Sequence, residues 1–317
     1  MNTPFIFTEI YKCAPVGRIM LESYLKHHNI PINVFIDAES IPELGSLQSH
    51  PNVMLWGMTE EIKNLYKKGH AGTAAVFAQV CKDIPTESFI HIDSDVVFKR
   101  ESISLITDAF EAGFDLVGSR RCYKNNPGKV PMPADIRDSI STYFYGFKKN
   151  IFPINHYTRE NLARLWEGHL LDLNHPILDF GDPVFFHAVY NGAVTYYIPP
   201  FLIGGQNKQG IKPSEEFKSN LHLDMGLHLA HFGGVGSGFS ACAGAVNPEE
   251  QYKQWALGRW NLFEFIFYNV PDNSIASRPM HNTVYDDAGR WINGNPDPEI
   301  IEEVKHDLLK VGLTRIN

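Results

Sequence analysis

Short apolar runs alternate with stretches of helical periodicity from Phe5 to Gly118, and this alternation restricts the fold more than any other feature of the sequence. The runs that read as strands are Phe5–Ile10, Ile32–Asp37, Asn52–Gly57, Phe89–Phe98 and Asp115–Gly118. Apolar residues recur at helical spacing between them, as in Val16–His28 and Ser102–Ala112. Because strands that alternate with helices build doubly wound sheets, we predict an α/β fold with a mostly parallel sheet flanked by helices.

The later part of the chain is less regular. Arg120–Pro153 is rich in Pro, Asn, Lys and Tyr, which favours a loop or lid over a site. Tyr196–Ile203 and Leu221–Phe232 resemble strands. Gln251–Tyr268 is strongly aromatic with helical spacing, and Pro298–Val311 is an amphipathic helix pattern. We therefore expect a helical, aromatic C-terminal extension.

The composition narrows the function classes. A chain of 317 residues is long enough for one large α/β domain or two small ones. Lys and Arg number 28 against 36 Asp and Glu, and this acidic balance makes nucleic acid an unfavourable main partner. No apolar run approaches ~18 residues, and MNTPFIFTEIYK lacks the basic and apolar regions of a signal peptide. Since the four cysteines are scattered without a CxxC pair, we expect a cytoplasmic protein.

Two carboxylates, Asp93 and Asp95, lie one residue apart in the apolar run FIHIDSDVVF. Alternation along an extended chain places His91, Asp93 and Asp95 on one side. The two carboxylates repel each other unless a cation lies between them, and oxygen ligands suit Mg²⁺ or Mn²⁺. Carboxyl ends of strands in open α/β sheets are also ligand sites. A solvated acidic turn is the alternative interpretation of any Asp-x-Asp tripeptide.

A second candidate is the run HLAHFGGVGSG, where His231 precedes Gly233 and Gly234. Imidazole is a metal ligand, and glycines let backbone N–H groups approach phosphate oxygens closely. His228 and His222 are weaker candidates for the same role. A histidine buried in the core and satisfied by a hydrogen bond is the structural alternative.

Further acidic residues lie where a cleft would need them. Asp182 precedes Pro183, which favours an N-cap at the start of a helix, but a carboxylate there can also act as a general base. Asp179 is the second choice for that role. Asp37 ends the second strand and is either a turn former or a contact to a nucleotide, while Thr8 and Glu9 at the end of the first strand would line the same crevice.

Together these features resemble the GT-A-fold glycosyltransferases that use nucleotide-diphosphate sugars, and most closely the inverting group called family 2. The resemblance runs from Phe5 to about Gly238. VFIDAES resembles the strand whose acidic end contacts the nucleobase, and KKGHAGT through SDVVF resembles the glycine-bearing helix that leads into the DxD strand. FGDPVFFHAV is similar to the acidic pair that opens a helix, and HFGG to a late His-x-Gly motif, although Gly181 stands where the family often has an acid.

The resemblance implies a Mn²⁺- or Mg²⁺-dependent enzyme that moves a sugar from a UDP- or GDP-sugar to an acceptor hydroxyl. It implies Asp93, Asp95 and His231 as metal ligands, and Asp182 or Asp179 as the catalytic base. The nucleotide-sugar contacts that it implies are Thr8, Glu9, Asp37, Gly69, Asp93, Ser94, Gly233 and Gly234. The aromatic candidates for stacking on sugar are Tyr143, Phe144, Tyr145, Tyr157 and Trp166.

The resemblance also implies a domain division. Residues 1–240 would form the GT-A catalytic domain, with a nucleotide-sugar half over 1–119 and an acceptor half over 120–240. Residues 241–317 would be the helical extension packed on it.

Three other functions remain open on the sequence. A haloacid-dehalogenase-like phosphatase would use Asp93 as its nucleophile, although that motif normally lies near the start of the domain. A nucleotide-sugar-binding protein without turnover would need the same crevice. A glycosyltransferase acting on DNA bases would need a basic patch, for which the candidates are Lys99, Arg100, Arg120, Arg121 and Lys124.

Overall fold

The computed structural model describes residues 3–66, 70–122, 138–152, 185, 188, 192–203, 212–213, 222–225, 228–233 and 284–285. The chain divides into two compact units. The first comprises Met1–Ala14, His28–Ser94 and Ser102–Ile198, and the second comprises Pro15–His27, Asp95–Glu101 and Pro199–Asn317. The predicted boundary at residue 240 lies outside the described residues and stays a prediction.

The first unit contains a seven-stranded sheet in the order β3-β2-β1-β4-β7-β6-β8. Its strands are β1 (Phe5–Ile10), β2 (Ile32–Ile36), β3 (Val53–Gly57), β4 (Ser88–Ile92), β6 (Leu116–Cys122), β7 (Asp138–Lys148) and β8 (Thr195–Ile198), while β5 (Val96–Phe98) belongs to the second unit. All neighbours pair in parallel except β7, which is antiparallel to both β4 and β6. The predicted α/β fold with a mostly parallel sheet is confirmed.

Helices connect these strands. They are α1 (Ala14–His27), α2 (Glu60–Tyr66), α3 (His70–Asp83) and α4 (Ser104–Glu111), with 3-10 segments at Ala38–Ser49 and Lys149–Ile151. In the described part of the chain, every helix is too short or too polar to cross a bilayer. The predicted C-terminal helices lie outside the described residues.

An aromatic cluster forms the core of the first unit. Phe77 of α3 stacks on Phe147 of β7, with ring centroids 5.9 Å apart, and Phe89 of β4 stacks on the same ring at 5.4 Å. Phe7 of β1 meets Phe77 edge to face at 4.8 Å. All four side chains are at most 1% exposed. Each buried ring stabilises the fold by about 1.5–3 kcal/mol relative to an exposed one, so this cluster holds α3 against β1, β4 and β7.

The order in which strands are added to the sheet reverses at β1, although β1 and β4 run parallel. From β1 the chain adds β2 and then β3 on one side, and it then returns to place β4 on the other side of β1. In open α/β sheets the crevice at such a reversal, outside the carboxyl ends of the strands, is where ligands bind. The carboxyl ends of β1 and β4 flank this crevice, so the residues after Ile10 and Ile92 lie at its mouth.

The second unit contains a smaller antiparallel sheet in the order β10-β11-β5. Its other strands are β10 (His222–Met225) and β11 (Leu229–Gly233), and a two-stranded ribbon joins β9 (Lys212–Pro213) to β12 (Val284–Tyr285). A short helix, α5, spans Pro200–Ile203. Val96, Phe98, Leu229 and Ala230 are buried in this sheet. The pairing of β5 with β11 sets His231 opposite Val96, the residue after Asp95.

Two predicted strands are divided in the structure. Phe89–Phe98 is not one strand, because the polar tripeptide Asp93-Ser94-Asp95 interrupts it and leaves β4 and β5 in different sheets. Leu221–Phe232 contains an antiparallel pair, β10 and β11, in place of a single strand. In Tyr196–Ile203 the strand ends at Ile198, since Pro199 and Pro200 lead into α5.

The prediction of a loop over Arg120–Pro153 is wrong for residues 120–122, which end β6, and for Asp138–Lys148. The latter segment is β7, and it lies between β4 and β6 in the sheet. Its sequence STYFYGF is rich in aromatic and β-branched residues, which favour strands. Tyr143, Phe144 and Tyr145 are at most 2% exposed, so they pack in the core and do not stack on a sugar. The other two aromatic candidates, Tyr157 and Trp166, lie outside the described residues.

Candidate metal centre

Asp93 follows the last residue of β4, and β7 fixes its backbone. The Asp93 N–H donates a hydrogen bond of 2.8 Å to the Tyr143 carbonyl oxygen. The Asp93 side chain stays 28% exposed, whereas His91, two residues earlier, is fully buried. The carboxylate therefore projects from the carboxyl end of β4 on a backbone that the neighbouring strand holds in place.

Asp95 and His231 come together through the β5–β11 pairing. The Asp95 Oδ1 atom lies 3.4 Å from His231 Nε2, and the two side chains are 7% and 12% exposed. Asp95 directly precedes β5, and His231 lies in β11 opposite the first residue of that strand. A carboxylate and an imidazole in this position are either an ion pair or two ligands of one cation.

Asp93 reaches the same place because it is only two residues before Asp95. Among the described residues, Asp93, Asp95 and His231 each offer one ligand atom, and these three atoms lie within 4.8 Å of one another. Ligand atoms around one small divalent ion, at bond lengths of about 2.1 Å, are at most about 4.2 Å apart. The three ligand atoms would therefore have to move closer together to bind one ion. Two carboxylate oxygens and one imidazole nitrogen are a donor set for a divalent metal ion.

A buried Glu9–His91 pair lies beside Asp93. His91 Nε2 is 2.7 Å from Glu9 Oε2, and His91 Nδ1 is 2.8 Å from the Thr142 carbonyl oxygen. Burial acts to lower the pKa of His91, but the Glu9 carboxylate, the Asp93 carboxylate and the Thr142 carbonyl outweigh it, so that the pKa is raised. The sequence pattern places Glu9 in the crevice and predicts no role for His91. The one signal in the sequence is that His91 and Asp93 share a side of the strand.

Each carboxylate oxygen of Asp37 accepts a hydrogen bond from the protein. The Lys12 N–H donates to Asp37 Oδ1 at 2.9 Å, and the Ser40 hydroxyl donates to Oδ2 at 2.8 Å. Asp37 is 1% exposed, and Lys12 has a positive φ of 55° that few non-glycine residues adopt. These bonds join the ends of β1 and β2, so the observed role of Asp37 is structural. Its contact to a nucleotide stays a prediction.

Thr8 and Glu9 are buried polar residues near the end of β1. Within the described structure, Thr8 Oγ1 and Glu9 Oε1 have no hydrogen-bond partner, although burial of such atoms is costly unless a partner is supplied. Ser94, between the two aspartates, has its hydroxyl 3.6 Å from the Cys13 thiol. The structure therefore places these three predicted contact residues around the carboxyl ends of β1 and β4, and their contacts to a nucleotide-sugar stay predictions.

Most of the other predicted site residues lie beyond the described part of the chain. Asp182, Asp179, Gly69 and Gly234 are outside it. Gly233 ends β11 and pairs with His222. The predicted catalytic base and the predicted phosphate-binding glycines therefore stay predictions.

Comparison with known proteins finds similarity to solved structures. No protein-family model matches the chain, and no curated protein matches it in sequence. The crystal structure of mouse xyloside xylosyltransferase 1 in its apo form is similar to this chain, at 14% sequence identity and a TM-score of 0.42. The match covers 63% of this chain and 86% of that one. The fold class and the candidate metal centre rest on the sheet order and the distances given above.

Proposed function

We propose that this protein is a metal-dependent glycosyltransferase, which moves a sugar from a UDP- or GDP-sugar to an acceptor hydroxyl. The observation that carries the proposal is the convergence of Asp93, Asp95 and His231 within 4.8 Å at the carboxyl end of β4. This strand lies beside β1, where the order of strands in the mostly parallel sheet reverses. The crevice at such a point is the usual ligand site of these folds. The inverting family 2 resemblance agrees with that placement and stays part of the proposal.

Asp93, Asp95 and His231 would hold Mn²⁺ or Mg²⁺ beside the donor diphosphate. The ion would supply Lewis-acid stabilisation of the negative charge that grows on the departing nucleotide. Three protein ligands leave room for substrate oxygens in an octahedral shell. The half-buried position of Asp93 suits a carboxylate that faces substrate, whereas the more deeply buried Asp95 and His231 suit ligands that stay with the ion.

The rest of the chemistry is assigned to residues of the chain. Thr8 and Glu9, near the carboxyl end of β1, would contribute contacts to the nucleotide-sugar. Asp182, with Asp179 as the second choice, would remove the proton of the acceptor hydroxyl as the general base of an inverting transfer. In this proposal residues 1–240 form the catalytic domain, and 241–317 form an extension.

A thermal-shift screen of nucleotide-sugars with and without Mn²⁺ tests the proposal. We expect one UDP- or GDP-sugar to raise the melting temperature, and to raise it more with Mn²⁺, because a ligand that binds the native state stabilises it by mass action. No shift with any donor would contradict the proposal. A shift without donor consumption, across a broad acceptor panel, would instead indicate a binding protein.

Three substitutions separate the assigned roles. We expect Asp182→Asn to bind the donor normally and to lose transfer, because it keeps its shape and loses its basicity. We expect His231→Ala to require more Mn²⁺ for the same donor shift. Hydrolysis of p-nitrophenyl phosphate that disappears in Asp93→Asn would favour the phosphatase alternative.

A further inference from the structure

Both ring nitrogens of the buried His91 have polar neighbours. The ring is fully buried in an aromatic cage, with ring centroids 5.2 Å from Phe7, 4.6 Å from Phe77 and 5.8 Å from Tyr145. Inside that cage Nε2 faces the Glu9 carboxylate, and Nδ1 faces a backbone carbonyl. The Asp93 Oδ1 atom lies 3.7 Å from the same Nδ1.

The carbonyl that receives Nδ1 belongs to an irregular part of β7. The pairing of β6 with β7 shifts register between Gly118 and Ser119, so that residues 142–144 of β7 bulge out of the ladder with β6. Two consecutive carbonyls of this bulge point to the end of β4. Thr142 O accepts from His91 Nδ1–H, and Tyr143 O accepts from Asp93 N–H. Bulges near functional sites commonly redirect a side chain in this way.

Stability does not explain the Glu9–His91 pair. A buried ion pair or hydrogen-bonded polar pair is often replaced by apolar side chains of similar volume with no loss of stability, because two polar groups must give up water. The cage around His91 is aromatic on three sides, so apolar side chains of similar volume at both positions 9 and 91 would fill it without the cost of removing two polar groups from water. The polar ring is therefore better explained by what it does for its neighbour, Asp93.

We propose that His91, held by Glu9 and by the Thr142 carbonyl, is a positioning residue that fixes the Asp93 carboxylate toward the metal centre. The ring N–H at Nδ1 donates to the Thr142 carbonyl, which fixes the ring, and the Asp93 Oδ1 atom lies 3.7 Å from the same nitrogen. The fixed ring therefore limits the positions that the Asp93 carboxylate can take by close contact and by electrostatic attraction. The same bulge therefore holds the Asp93 backbone directly, through the Tyr143 carbonyl, and holds the ring beside its carboxylate through the Thr142 carbonyl. This inference rests on the proposed function, since it concerns a ligand of the proposed ion.

Mn²⁺ titration of the purified protein without nucleotide, followed by electron paramagnetic resonance of the free ion, tests the inference. We expect His91→Phe to weaken Mn²⁺ binding by about 10- to 100-fold, the usual effect of removing a group that orients a metal ligand. His91→Asn places an amide nitrogen near the position of Nδ1 and should retain most of the affinity. His91→Gln places its nitrogen near Nε2 instead, and should bind Mn²⁺ as weakly as His91→Phe.

Phe89→Leu is the matched control, because Phe89 is buried on the same face of β4, two residues before His91, and has no bond to Asp93. We expect it to lower the melting temperature and to leave Mn²⁺ affinity unchanged. If His91→Phe keeps the wild-type affinity, or if His91→Asn is no better than His91→Gln, the positioning role is wrong. If His91→Phe does not fold, the difference in Mn²⁺ affinity between His91→Asn and His91→Gln still tests the positioning role.

The same titration separates this inference from the proposed function. Wild-type protein that binds no Mn²⁺ would overturn the metal-dependent function, and the positioning role with it. Wild-type protein that binds Mn²⁺ and consumes donor, with variants of unchanged affinity, would overturn the positioning role alone.

Discussion

The packing of β7 is tested most sharply at Gly146. The carbonyl oxygens of this strand bind His91 and the backbone of Asp93. Gly146 lies opposite Ile90 of β4 and Val117 of β6. A Cβ atom added there would clash with Cγ2 of Ile106 and would lie 2.7 Å from Cζ of Phe110, both on α4. Both neighbours are at most 3% exposed, so neither can move into solvent. The Gly146→Ala variant must therefore push α4 away from the sheet.

The expected cost follows from these contacts. Overpacking a tight core costs about 1–3 kcal/mol. For a chain of this size, each kcal/mol lowers the melting temperature by about 2 °C, so we expect a decrease of about 2–6 °C. Gly57→Ala is the matched control, because it lies at the end of β3 with no atom within 4 Å of the added Cβ. That variant should be unchanged, or stabilised by about 0.4–1 kcal/mol through its effect on the unfolded chain.

Urea unfolding followed by circular dichroism measures both variants on the same scale. Adding Ile106→Ala to Gly146→Ala should recover part of the loss, because the nearest clashing atom is removed, and a double-mutant cycle should show the coupling. If Gly146→Ala and Gly57→Ala are equally stable, β7 does not pack against α4 as described. The positions of Tyr143 and Thr142, on which the positioning of Asp93 depends, would then be wrong as well.

Two further predictions concern acidic residues away from the metal centre. Burial acts to raise the pKa of Asp115, but the Val194 N–H and the Lys148 ammonium group outweigh it and hold the pKa below 3.8. The stabilisation from Asp115 is therefore present above the pKa of the unfolded state and is lost as the pH falls through the pKa of the folded state. In urea unfolding, the free energy of unfolding should therefore fall more steeply with decreasing pH in wild type than in Asp115→Asn. Asp37→Ala should destabilise the protein by about 1–3 kcal/mol, because two donors are left buried without it. The exposed Glu43→Ala should show no change in the same unfolding experiment; equal stability of these two variants would contradict the structural role of Asp37.

The sequence predicts the first half of the sheet well. The strands β1 to β4 are apolar runs of the length that a parallel sheet buries on both faces, and their carboxyl ends carry Asp37 and Asp93. These properties are local, so a pattern of residues is enough to find them. The same locality explains why Asp93 and Asp95 can be recognised as candidate ligands from the sequence alone.

The rest depends on contacts between distant segments. β5 lies in a different sheet from β4 because β5 pairs with β11, which is more than a hundred residues away along the chain. The sequence of β7 resembles part of a loop. Its partners, β4 and β6, can be identified only from the sheet order. His91 lies in an apolar run and gives no functional signal until Glu9 of β1 is placed beside it.

Release of nucleotide from the donor in the presence of Mn²⁺ tests the central claim most directly. The donor would be the UDP- or GDP-sugar found by thermal shift, and Asp95→Ala would be compared with Asp108→Ala, an exposed acidic residue on α4. We predict that Asp95→Ala abolishes Mn²⁺-dependent release, because it removes a buried ligand paired with His231 at 3.4 Å, and that Asp108→Ala keeps wild-type activity. Full activity in Asp95→Ala would contradict the assignment of the metal centre.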